Sequence, residues 1–544
     1  MKHNDPVTRP LTRILFRGGY IYTQDNPHAT ALCLDGGQVV WTGDDDASAH
    51  FADNADRIIE LDGRLVTPGF VDSHAHLAQT GMAAQSIDLS KAITLRDALD
   101  QLADFARRST STILLGFGWD EGQWPEQRCF TREEVDRAIG RRPAYLARVD
   151  VHSAVVSSAF LDAFPGVADL DGYDVGGLVA REAHHLAREA VFRLVPASVR
   201  EGAIRDALQQ AARQGIAMVH ELGAPHISPA EDFALIRGLR ELTPMPEVVG
   251  YWGQLDGIET ARELGCVGAA GDLCADGAIG SRTAAMHAPY ADADTSGHLY
   301  LSAEQVTEQV IACTKADLQA GFHCIGDRAV AEVVEGLRQA AEAIGAPAIV
   351  AARHRLEHLE MVSQEDMVTL GELGVTASMQ PMFDGLWGGE GALYAQRLGT
   401  DRARSMNAFG SLNRAGVALA FGSDSPVTPF GPWAGVRAAA WHHAEEERIT
   451  VRAAFNAHTR GGWRAARRDE GGVIALGAPA HIAVWDVPGD LTVQTPDARV
   501  AAWSTDPRAG VPQLPDLHPD LDLPSCVMTL VDGQVAFEEP GVLP

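Results

Sequence analysis

The sequence predicts an α/β protein in which a (β/α)8 barrel carries a small sheet domain made from both ends of the chain. Three observations predict it. Short apolar runs alternate with longer helical patterns through the middle of the chain, as in βα units around a parallel sheet. Eight such runs can be counted, the number that closes a barrel. Residues 1–68 and 470–544 carry a different pattern, short β-like runs broken by Asp-Gly and Gly-Gly turns.

In chain order, "RILFRGGYIYT", "TALCLDGGQVVWTG" and "DRIIELDGRLVTPG" read as hairpin strands, and "AHIAVWDVPG", "ARVAAWST" and "CVMTLVDGQVAFEE" read the same way at the other end. The stretch "PRAGVPQLPDLHPDLDLPS" reads as a surface loop. The eight barrel candidates are "FVDSHAH", "IAMVHELG", "EVVGYWG", "GDLCADG", "FHCIGD", "HRLEHLE", "VTASMQP" and "VALAFGSD". The gap between the first two is too long for one helix, so residues 85–199 form an inserted subdomain, leaving 69–84 and 200–469 for the barrel.

Composition narrows the function. The chain has 544 residues, 46% hydrophobic and 22% charged, as expected of a soluble globular protein. It has no apolar run of membrane-spanning length and no apolar core of a secretory signal near its start. Seven cysteines, an odd and scattered set, suit a reducing cytoplasm. A net charge of −29 disfavours nucleic acid and anionic membranes as partners. The expected partner is a small-molecule substrate; a homo-oligomer stays open.

Nearly every barrel candidate ends in an ionisable residue, where such barrels place their chemistry. These are His74 and His76, His220 and Glu221, Asp272 and Asp276, His323 and Asp327, His358, and Asp424. His74 and His76 lie two apart on a strand and face the same side. A single buried histidine is more often a hydrogen-bonded structural group, but four on strand ends with an aspartate on the eighth form a metal set. Asp276-Gly277 and Gly326-Asp327 can simply shape turns. Arg282, Arg328 and Arg355 read as ion-pair partners. His152, His184, His185, His442 and His443 read by default as loop or helix-surface residues. Trp119 and Trp124 would line the pocket or form the insertion's own core.

These residues resemble a known family. "TPGFVDSHAHL" is similar to the opening motif of the amidohydrolase superfamily. "DGAIGSRTAAM", "HCIGDRAV", "RHRLEH", "SMQP" and "FGSDSPV" resemble its YtcJ-like branch, which includes N-substituted formamide deformylase. The resemblance implies a distorted (β/α)8 TIM barrel with a composite β-sandwich and a metal-dependent hydrolase activity. By position it implies metal ligation by His74, His76, His323 and His358, and metal binding plus proton transfer by Asp424. One departure stands out. The branch has a lysine four residues before the Asp-Gly of strand four, carboxylated to bridge two metals, and here that position is Asp272. Aspartate is anionic without modification but shorter. Cys274, two residues on, offers a thiolate or a buried filler.

The expected activity is therefore hydrolysis of an amide-type C–N bond in a small organic molecule by metal-bound hydroxide, with Asp424 relaying the proton. The alternatives are ester, lactone or cyclic amide hydrolysis at the same site, or a non-catalytic ligand-binding descendant. The expected cofactor is a divalent metal, Zn²⁺ by preference, one ion rather than two, with Asp272 as a further ligand. Trp119, His152 and His220 are the candidate substrate contacts.

Overall fold

The computed structural model describes residues 13–494, 503–504 and 510–543. Its central sheet has eight parallel strands: β1 (Phe70–Ala75), β2 (Ile216–Gly223), β3 (Glu247–Trp252), β4 (Gly268–Ala269), β5 (Gln319–Cys324), β6 (Arg355–His358), β7 (Thr376–Met379) and β8 (Ala418–Phe421). Each pairs with its sequence neighbour, which leaves β1 and β8 at the two edges. A parallel bridge from Ala75 to Ser425 links the first strand to the segment after the eighth, closing the ring. The fold is the expected α/β barrel.

Local sequence explains the elements. β2 reads IAMVHELG and is buried at every position, as a strand covered on both faces must be. The helix Asp327–Ile344 buries Ala329, Val330, Val333, Val334, Leu337 and Ala340, a 3.6-residue stripe turned to the sheet. Ser302 and Gln305 form a capping box at the start of Ala303–Lys315.

One strand differs from expectation. "GDLCADG" does not continue the fourth strand, which ends at Ala269; beyond it only Cys274 pairs, in a single bridge to His323. Gly271 is the cause, because its φ of +93° turns the chain out of extended geometry. Gly253 lets the redirected backbone come close, since a side chain there would lie 2.6 Å from the Asp272 carbonyl carbon.

Both chain ends contribute to one sheet: Leu65–Pro68 pairs antiparallel with Ile482–Asp486, which pairs with Ser525–Val531. It packs on a second sheet of N-terminal strands through Phe16, Leu32, Leu34, Val66, Val484 and Leu530. Most of "ARVAAWST" lies outside the described residues; Trp503–Ser504 pairs with Val493–Gln494. The stretch expected as a surface loop is partly structured, with Leu514–Pro515 in a strand and Leu514 and Leu517 buried. Between β1 and β2 a five-stranded sheet, running in the order Leu178–Ala180, Ser153–Val156, Ala144–Arg148, Leu114–Trp119 and Ile87–Asp88, builds its own core.

Candidate metal centre

The strand ends bring the expected residues to one point. His74 lies within β1 and His76 just past it, at the start of the helix Leu77–Ala84. Asp272 follows β4, His323 is in β5, His358 ends β6, and Asp424 follows β8. All six are buried. His74 Nε2 is 3.4 Å from Asp272 Oδ1 and 3.4 Å from Asp424 Oδ1. His76 Nε2 is 3.2 Å from Asp272 Oδ2 and 3.2 Å from Asp424 Oδ1. His323 Nδ1 and His358 Nε2 stand further back, 3.8 and 4.0 Å from Asp272 Oδ1. His358 and Asp424 both have left-handed backbones, with φ of +68° and +56°. Such conformations cost about 1–3 kcal/mol each for a residue with a side chain, and they cluster at functional sites.

A second layer orients the imidazoles. His74 Nδ1 bonds to Glu357 Oε2 (3.0 Å), His76 Nδ1 to the Leu222 carbonyl (3.0 Å), and His358 Nδ1 to Gln380 Oε1 (2.8 Å). Each bond fixes a proton on Nδ1 and turns Nε2 towards the carboxylates. His323 is reversed: its Nε2 bonds to the Gly277 carbonyl at 3.2 Å, leaving Nδ1 for the centre. Glu357 also accepts two bonds from Arg355, at 2.5 and 2.9 Å. Asp276 accepts from the amides of Ala285, Ile325 and Gly326, tying the segment after β4 to the end of β5. These bonds reach separate segments, beyond the local turn expected of an Asp-Gly pair.

The electrostatics call for a cation. Burial opposes charge on His74, yet Asp272 and Asp424 outweigh it and hold the imidazole well above its ordinary pKa. The same balance raises His76 to about 9. Burial would lift the Asp272 carboxyl, but His74 and His323 keep it well below the usual carboxylate range. Burial, with His323 and His74 nearby, lowers His358 to about 3. Two ionised carboxylates thus demand positive charge between them. His74 Nε2 and Asp272 Oδ1, facing each other, are buried without a hydrogen-bond partner. Imidazole nitrogens and carboxylate oxygens with that demand fit a divalent cation. The ligand atoms of His74, His76 and Asp424, and those of His74, Asp272 and His358, gather into two groups that share His74.

The remaining candidates divide. His152 lines the pocket, its ring 4.9 Å from that of His323. Trp119 does not line it: fully buried, it packs with Trp124 and Phe130 and donates to the Leu146 carbonyl. His220 sits behind the centre, where Arg355 donates to its Nδ1 at 3.0 Å. Glu221 accepts from the Leu77 amide at 2.8 Å, and burial lifts its carboxyl to about 7. The Cys274 thiol donates to the Asp272 carbonyl at 3.6 Å and lies 3.9 Å from His226 Nε2. Two pocket residues, Arg188 and His226, went unread in the sequence, and two more, His184 and His185, line the pocket instead of the helix surface expected of them. His184, His185 and Arg188 share one face of the helix Arg181–Leu194 at spacings of three and four, and His226 comes from the loop after β2. Their spacing marks a common face but not the direction in which it points.

Comparison with known proteins gives the family. A model of the amidohydrolase family matches residues 57–537. YtcJ of Bacillus subtilis, named as an amidohydrolase, is 26% identical over 468 residues, covering 80% of this chain and 85% of its own. LONG AFTER FAR-RED 3 of Arabidopsis thaliana is 26% identical over 514 residues, covering 86% of each chain. N-substituted formamide deformylase of Arthrobacter pascens is 28% identical over 142 residues, 25% of this chain and 26% of its own. Among solved structures, an uncharacterized metal-dependent hydrolase from Pyrococcus horikoshii superposes with a TM-score of 0.70 at 22% identity, covering 88% of this chain and 98% of that one, a likeness of fold. Because the family match extends over most of the sequence and the barrel it implies is the one observed, the chain belongs to the amidohydrolase family.

Proposed function

We propose that this amidohydrolase cleaves an amide-type C–N bond in a small organic molecule, using a divalent cation held by His74, His76, Asp272 and Asp424 and faced by His323 and His358. One observation carries the reading: the nitrogens of His74 and His76 each stand 3.2–3.4 Å from oxygens of both aspartates. A tetrahedral zinc site with bonds of roughly 2.0–2.1 Å sets its ligand atoms about 3.3 Å apart. The same compactness favours zinc and one ion rather than two, because His323 and His358 are further from the shared Asp272 oxygen.

What the cation supplies when bound is Lewis acidity, which lowers the pKa of water and polarises a carbonyl. The protein's own residues do the rest. Asp424 lines the pocket on both sides of the centre and uses only Oδ1 against the imidazoles, so its second oxygen takes a proton from the attacking water and delivers it to the departing nitrogen. His152, kept neutral by burial and by the neighbouring His323, donates a hydrogen bond to the substrate carbonyl. Glu357 and Arg355 hold His74 in place. In this reading residues 69–84 and 200–469 are the catalytic unit, residues 85–199 wall the pocket, and residues 1–68 with 470–544 support it.

The test is a panel of formamides, N-acyl amino acids, cyclic amides and esters offered to zinc-loaded protein. Turnover of at least one amide supports the proposal. Turnover of esters with no amide cleaved refutes the bond assignment.

A further inference from the structure

Five arginines are buried among the described residues: Arg148, Arg188, Arg200, Arg355 and Arg397. Four of them face carboxylates. Arg148 meets Asp120, Glu121 and Asp150; Arg200 meets Asp232; Arg355 meets Glu357; and Arg397 meets Glu121 and Asp292. Arg188, only 7% exposed, makes no ion pair among the described residues. Among the described residues its guanidinium makes one hydrogen bond, from Nη2 to the neutral Gln79 Oε1 at 2.6 Å, and Gln79 is fixed in that orientation because its Nε2 donates to the Ile227 carbonyl. A guanidinium shut away from water without a counter-charge is unfavourable. The other buried arginines show how this fold normally meets that cost.

The surroundings of Arg188 say what balances it. It lines the pocket that also contains His76, Asp272 and Asp424. Across the centre, His323, His358 and Asp424 open onto a mainly apolar lobe lined by Ile279, Phe383, Trp387, Tyr394 and Val427, together with Asp150 and Glu360. The pocket therefore has a cationic end, a centre, and an apolar end. A guanidinium presents a planar fork of donors that matches a carboxylate.

We propose that Arg188 binds the carboxylate of an anionic substrate, so that the bond cleaved lies between an acid group and an apolar acyl group, as in an N-acyl amino acid. This rests on the hydrolase reading given above. Water adds to the acyl carbon, the C–N bond breaks, and the nitrogen leaves with the proton, giving a carboxylic acid and an amino acid.

Two matched pairs of probes test it. N-hexanoylglycine and N-hexanoylglycinamide differ only in the acid group and report turnover. 4-Oxononanoate and 4-oxononanamide replace the nitrogen by carbon, cannot be cleaved, and report binding by calorimetry. In zinc-loaded wild type, kcat/KM for the acid should exceed that for the amide by about 100-fold, and 4-oxononanoate should bind at least tenfold tighter than its amide. In Arg188→Met both ratios should collapse to within about threefold, mainly through KM, and Arg188→Lys should lie between. Circular dichroism and zinc content establish that each variant is folded. Tight, Arg188-dependent binding of 4-oxononanoate without cleavage of N-hexanoylglycine would leave the anion site standing and sink the hydrolase reading. Equal kcat/KM for acid and amide, no binding of 4-oxononanoate to wild type, or ratios unchanged in folded Arg188→Met would overturn the assignment of Arg188.

Discussion

Glu357→Gln removes one charge from a fully buried side chain that is bonded on both sides. Glu357 lies between Arg355, which donates two hydrogen bonds, and His74 Nδ1 at 3.0 Å. Burial would raise its carboxyl, but Arg355 and His74 hold it at about 2, so the charge is present at every working pH. Breaking a buried pair by removing one partner costs about 3–5 kcal/mol. The lower end applies, because Arg355 keeps the Ser73 carbonyl (2.7 Å), Ser378 Oγ (2.8 Å), His220 Nδ1 (3.0 Å) and the face of Tyr251 (4.4 Å). At the centre, glutamine can still accept from His74 but no longer raises the basicity of Nε2. Loss of such an outer partner weakens metal binding about 10–100-fold. The expected result is two separable losses: about 3 kcal/mol in urea unfolding of chelator-treated protein, and at least tenfold in zinc affinity by competition with a coloured chelator. Stability within about 0.5 kcal/mol of wild type, with zinc affinity within twofold, would refute the account of this network.

Four further outcomes are expected. Asp424→Asn should lower kcat by about 10²–10⁴-fold on any accepted substrate with the fold intact; near wild-type turnover would remove its proton-transfer role. Elemental analysis after mild purification should find close to one zinc per chain and activity indifferent to bicarbonate, whereas two full equivalents would mean that Asp272 bridges a pair. Trp119→Ala should cost roughly 3–5 kcal/mol in denaturant unfolding with substrate preference unchanged, and a shift in preference without loss of stability would return Trp119 to the pocket. Glu247 is held at about 2 by His481 and Arg468 against its burial, so its stabilisation is complete above its ordinary value of 4.5 and is lost as pH falls towards 2. Glu247→Gln should flatten that acid limb of stability against pH, and an unaltered limb would contradict the pairing.

The centre was legible where chemistry followed strand period. His74 and His76 sit two apart, and His323, His358 and Asp424 close strands whose apolar runs are unmistakable. Asp272 was legible as a residue but not as a reach. The alternation in "GDLCADG" looks like a strand, and from a strand a short carboxylate would fall short of the centre. What brings it in is the turn at Gly271 and the space left by Gly253, a backbone effect with no side-chain periodicity to announce it. Arg188, His184 and His185 were hidden differently. The helix that carries them buries Ala183, His184, Ala187, Ala190 and Val191 on one stripe, whereas the default reading of two adjacent histidines is a solvated helix surface. Only the tertiary placement of the insertion turns part of that stripe to the pocket.

Charge explains how aspartate can stand where the resemblance to the YtcJ-like branch implies a carboxylated lysine. A lysine carbamate and an aspartate each bring one negative charge to the same strand, so the centre keeps its demand for a cation. The difference is length, and here the chain itself moves inward: Asp272 leaves the strand and places Oδ1 3.4 Å from His74 Nε2 and Oδ2 3.2 Å from His76 Nε2. Asp272 and Asp424 together bring two negative charges to the centre, which one dication would neutralise. Behind them Glu357 and Arg355 neutralise each other. Arg188 is left as the charge in this pocket that the protein's own acids do not meet, and a neutral substrate would leave it so. An anionic substrate would complete the balance as its amide reaches the centre, which would make recognition of the acid group and positioning of the cleaved bond one event.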